Sequence, residues 1–89
     1  MDEKLLREKA SAAVQAGKLP DRPPDRMWGG PGLGAECVVC ERRIGREDLE
    51  FEVQWARDGA RPDIDRFHFH VRCFAAWELE RREERPGPR

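Results

Sequence analysis

Cys37-Val38-Val39-Cys40, then 29 residues, then His70-Val71-Arg72-Cys73: this C-x2-C … H-x2-C arrangement decides the fold, and it uses all three cysteines of the 89-residue chain. Two cysteines three positions apart turn both sulfurs toward one point when the backbone between them forms a tight knuckle. His70 and Cys73 repeat the spacing, which suits a strand end running into the first turn of a helix. Three thiolates and one imidazole make a closed tetrahedral donor set of the kind that holds structural zinc. The expected ligands are therefore Cys37, Cys40, His70 and Cys73, and the expected cofactor is Zn2+. Three cysteines do not suit a secreted disulfide scaffold. A thioredoxin-like use of Cys37 and Cys40 needs a helix and a βαβ unit directly afterwards, and a strand-like run follows instead. His68, two residues before His70, either supports the ligand set from behind or replaces His70 in it.

The size of the chain gives a metal a structural task. Hydrophobic content is 38% and charged content 39%, so one domain with a small core is expected. Chains of this size often need a staple, and a structural zinc contributes about 10–16 kcal/mol of apparent free energy at neutral pH. The opening Met1-Asp2-Glu3-Lys4-Leu5-Leu6-Arg7-Glu8 has no apolar run of the signal-peptide kind, and no stretch approaches a membrane span. The expectation is a reducing, cytoplasmic setting with no membrane contact.

Upstream of the knuckle, residues 1–17 read as an amphipathic helix. Asp2 is the N-cap, and Leu5, Leu6, Ala12, Ala13 and Ala16 form the apolar stripe with Ala10 at its margin. Gly17 and Pro20 stop it. That helix either folds back on the metal unit or serves a partner, including a second copy in a homodimer. Residues 18–36 read as a linker: four prolines and four glycines between Pro20 and Gly34 leave no regular element, with Trp28 docked on the domain's own core.

Downstream, residues 37–85 read as the zinc unit. Leu49, Phe51, Val53 and Trp55 alternate with Glu50, Glu52 and Gln54, which predicts a strand with an exposed acidic face. Asp58-Gly59 marks a turn. In a second strand Phe67 and Phe69 face one way and His68 and His70 the other. From Val71 a helix begins, apolar around its first two turns, supported by a Glu78–Arg82 pair, with Glu80–Arg85 in solvent and Pro86 as its stop before the 86–89 tail. The fold class is small α+β.

A knuckle, a two-stranded turn and a helix carrying the last ligand resemble a treble-clef zinc finger. The long gap, Ile44 and Phe69-His70-x-x-Cys73-Phe74 make residues 37–77 similar to the finger of poly(ADP-ribose) polymerases and DNA ligases. The resemblance implies the same four ligands and a role at DNA breaks, through basic backbone contacts and an apolar loop. The whole chain also resembles short bacterial proteins that share Gly-Lys-Leu-Pro, Gly-Gly-Pro-Gly and Cys-x-x-Cys, for which no function is implied.

Charge argues against the DNA role. Residues 36–74 hold seven Arg against nine Asp or Glu, a balance of −2, and a zinc ion with three thiolates adds −1. Phosphate binding needs cations, and Arg42, Arg43 and Arg46 are expected to pair with Glu41, Glu47 and Asp48. The expected function is a structural zinc-binding module contacting a protein partner, with Trp28 and Trp55 as anchors if the helix stripe is buried. A nucleic-acid finger is the alternative, and a thiolate–zinc redox sensor the second. No catalytic set and no cofactor site are expected: four ligands close the metal position, and no Ser/His/Asp set or carboxylate pair is present.

Overall fold

The computed structural model describes residues 2–57 and 63–84, with side chains as far as Arg81. It is an α+β arrangement of α1 (Glu3–Gln15), β1 (Arg26–Pro31), β2 (Leu49–Arg57), β3 (Asp63–His70) and α2 (Val71–Glu84). The antiparallel sheet has the order β1-β2-β3. The Asp58-Gly59 turn, the partner side chain of the Glu78–Arg82 pair and the Pro86 stop lie outside the described residues.

α1 forms where its capping chemistry allows. Asp2 accepts a hydrogen bond from the Leu5 amide at 2.8 Å, satisfying one of the orphan N–H groups of the first turn. At the other end Gly17 adopts φ 76°, the left-handed conformation glycine takes at little cost, and the Lys18 amide closes on the Ala13 carbonyl at 2.9 Å. The buried stripe is Leu6, Ala10 and Ala13, at i, i+4 and i+7, while Leu5, Ala12 and Ala16 are exposed. The stripe is thus narrower than the sequence suggests; among the helices and strands α1 packs on α2. Arg7 and Glu80 close the contact at 2.7 Å. Glu80 therefore does not project freely into solvent as the polar run around it predicts.

Residues 18–34 are not devoid of regular structure. Arg26–Pro31 pairs with β2 in the register Met27↔Val53, Trp28↔Glu52 and Gly29↔Phe51. Only one side of this edge strand needs backbone partners, so Pro31 is tolerated at its end. Gly29 lies against the Phe51 ring, 3.2 Å from where a Cβ would stand. The preceding segment is pinned as well. The indole of Trp77 donates to the Pro20 carbonyl at 3.0 Å, and that of Trp55 to the Arg22 carbonyl at 2.9 Å. Trp28 itself is 49% exposed rather than docked.

The core lies between the sheet and α2. Trp55 and Trp77 meet at 5.4 Å and 73°, and Phe69 and Phe74 at 5.3 Å and 86°, edge-to-face contacts that contribute beyond their area. Trp55 is only 1% exposed, so it is no surface anchor.

The opposite sheet face is not a solvated acidic one. Glu50 is 6% exposed and accepts from the Leu33 amide at 3.3 Å, while its second oxygen lies 2.9 Å from His68 Nδ1. Glu52 pairs with Arg66 at 3.2 Å. Strand alternation gives the correct face, but the loop after β1 folds over its end. Gly32 makes that fold possible: a Cβ there would collide with the carbonyl oxygen of Gly45, and with that of Ile44 at 2.7 Å.

Candidate metal centre

The knuckle is built from local backbone bonds. The Cys37 amide donates to the Arg42 carbonyl and the Glu41 amide to the Cys37 carbonyl, both at 2.9 Å. An isolated bridge joins Glu36 and Arg43. This tight turn leaves Glu41 at φ 65°, a conformation costing a non-glycine residue about 1–2 kcal/mol. The turn then docks on β3, where the Val38 amide donates to the His68 carbonyl at 3.0 Å.

β3 passes into α2 with no intervening residue, His70 ending one and Val71 opening the other. That junction places His70 and Cys73 opposite the knuckle. The donor atoms of Cys37, Cys40, His70 and Cys73 lie within 4.8 Å of one another, and the three cysteines are buried. His70 Nδ1 is 3.4 Å from Cys40 Sγ and 4.0 Å from Cys73 Sγ. A tetrahedral ion with bonds of about 2.0–2.3 Å separates its ligand atoms by roughly 3.6 Å, so these four fit such an ion once their separations close by about an ångström or less. The structure brings together the four residues that the spacing singles out. It does not bring in His68, which is held by Glu50 on the sheet face.

The chemistry of the donor set also calls for a cation. Hydrogen bonding from Cys73, together with backbone N–H groups, holds the Cys37 thiol well below the usual thiol range. The same Cys73–Cys37 contact and burial push Cys73 up, and burial pushes Cys40 up. Three thiolates at one point repel each other, so only a bound cation allows all three to ionise.

Asp48 completes the surroundings. Its Oδ2 stands 3.8 Å from His70 Nε2 and 3.3 Å from the Gly45 amide, which donates to it. At 3.8 Å the carboxylate is an electrostatic neighbour of the imidazole rather than a hydrogen-bond partner. Nothing in the sequence marks Asp48 for this position, since it sits 22 residues before His70.

Arg42, Arg43 and Arg46 form no ion pair among the described residues. Two of the three expected partners are engaged otherwise: Glu41 with Lys18 at 3.4 Å, Asp48 beside His70. Among the described residues, no helix is long and apolar enough to cross a membrane. Comparison with known proteins returned no match: no protein-family model fits the chain, and no curated protein or solved structure is significantly similar to it.

Proposed function

We propose that this protein is a structural zinc-binding module of treble-clef-like build that contacts a protein partner. The knuckle at Cys37 and Cys40, the β2–β3 pair and α2 carrying Cys73 supply the three parts of such a finger. Four converging donors leave no open position for a reactive water, which favours a structural over a catalytic ion. The reading of a protein partner rests on β1, an edge strand that carries Trp28 at 49% exposure on one face and Met27 at 40% on the other. Exposed Trp is a common anchor of interface hot spots. Elemental analysis should find one zinc per chain. Co-purification from native cells should then recover a protein that survives nuclease treatment and is lost with Trp28→Ala. A zinc-free protein, or a partner lost only to nuclease, would refute this reading.

A nucleic-acid role is the second reading. It is favoured by the arginines Arg42, Arg43 and Arg46 without described ion pairs, and by the pairing of Glu52 with Arg66. A salt series of DNA binding on the zinc-loaded protein tests it. Submicromolar affinity at near-physiological salt, falling steeply as salt rises and lost with those three arginines, would establish it.

A further inference from the structure

The four metal donors are not equally placed toward solvent. A recess of about 170 Å³ opens beside the centre, walled by Leu6, Arg42, Asp48, His70, Arg72 and by Cys40 and Cys73. Cys37 is not part of its wall and has no exposed surface, whereas Cys40 is 9% exposed. A second asymmetry is independent of access. The His70 amide lies 3.5 Å from the Cys37 sulfur. N–H donors withdraw electron density from a metal-bound sulfur and tune its reactivity, so Cys37 is both the least accessible and the most shielded thiolate.

We propose that Cys40 and Cys73 form a peroxide-reactive pair whose oxidation to a disulfide releases the metal. This inference rests on the zinc reading of the site. The recess suits a small neutral oxidant such as hydrogen peroxide. Its two guanidinium groups, Arg42 and Arg72, are offset by Asp48 and by the formal −1 of an ion held by three thiolates. The Cys40 thiolate attacks one peroxide oxygen, the O–O bond breaks, and hydroxide leaves a sulfenic acid on Cys40. The Cys73 thiolate then attacks the Cys40 sulfur and displaces a second hydroxide. Two thiolates lose two electrons, peroxide gains them, and both hydroxides take protons from solvent to become water. Cys37 and His70 alone no longer hold the ion. Because Cys40 lies on the knuckle and Cys73 on α2, the new S–S bond joins the elements the metal had joined. The change is then reversible by thiols without global unfolding.

The test treats the zinc-loaded full chain with stoichiometric hydrogen peroxide, follows zinc release with a chromogenic chelator, and maps disulfides by mass spectrometry after alkylation. The expected product is a Cys40–Cys73 disulfide with Cys37 alkylated, formed in step with zinc release and reversed by dithiothreitol and zinc. A Cys37–Cys40 disulfide, which sequence proximity alone would favour, would overturn the proposal. So would zinc retention until irreversible oxidation. Arg42→Trp, at an exposed position on the rim, should slow release several-fold while leaving zinc affinity unchanged; an unchanged rate would remove the recess as the route. Protein that carries no zinc before peroxide refutes the metal reading, whereas zinc-loaded protein giving the wrong disulfide refutes this inference alone.

Discussion

The two histidines of β3 make the sharpest test of the site, because both substitutions destabilise and only one should cost the metal. His70→Ala removes one of four ligands. If a structural zinc contributes about 10–16 kcal/mol, an equal share per ligand is about 2.5–4 kcal/mol, the least this substitution should cost. For a domain of this size roughly 4–8 °C of Tm follows each kcal/mol, so the melting temperature should fall by at least roughly 10–32 °C. His68→Ala removes a 2.9 Å contact to Glu50. That leaves a buried carboxylate with the Leu33 amide as its remaining described partner, at about 1–3 kcal/mol, or roughly 4–24 °C. The ranges overlap, so stability alone does not separate them; metal content does. Circular dichroism melts should be paired with zinc stoichiometry on the same samples. His68→Ala should retain a full equivalent of zinc, and His70→Ala should lose it. Loss of zinc from His68→Ala with retention in His70→Ala would refute the ligand assignment. His68→Gln, which keeps a donor for Glu50, should recover part of the stability.

Gly32→Ala should destabilise by about 1–3 kcal/mol, the usual cost of overpacking, because its Cβ meets the backbone oxygens of Ile44 and Gly45; a neutral effect in a denaturant titration would show that the loop over Glu50 is looser than described. Glu41→Gly should stabilise by about 1 kcal/mol, since relief of the left-handed backbone outweighs loss of an exposed pair with Lys18; a lower denaturation midpoint would contradict it. Titration of the zinc-free protein with zinc at neutral pH should release at least two protons per ion, because Cys40 and Cys73 have raised pKa values and hold their protons until metal displaces them. Metal affinity should accordingly fall as pH is lowered, measured by competition with a chelator of known affinity.

What the sequence makes legible here is whatever is local. The ligand quartet follows from two short spacings, the ends of α1 from Asp2 and Gly17, and the faces of β2 and β3 from strict alternation. What stays hidden depends on distant chain segments. β1 is punctuated by Gly29, Gly30 and Pro31, residues that argue against a strand, yet an edge strand with one paired side needs little propensity. Glu50 sits on the predicted outward face and is buried where the Leu33 amide and His68 meet its two oxygens. Asp48 comes beside His70 through the pairing of β2 with β3, which sets Glu50 opposite His70. Two of the acids beside the knuckle arginines, Glu41 and Asp48, are drawn instead to Lys18 and His70.

The two indole hydrogen bonds bear on how small a working fragment can be. Trp55 and Trp77 are nearly devoid of solvent contact, and their N–H groups are satisfied by the carbonyls of Arg22 and Pro20. Cutting the chain after residue 25 would therefore strand two donors in an apolar interior, at about 1–3 kcal/mol each. The same cut would strip Leu6, Ala10, Ala13 and Leu19 from the core. A fragment trimmed to the ligand-bearing residues would keep every metal donor and lose the wall that keeps its aromatic core dry.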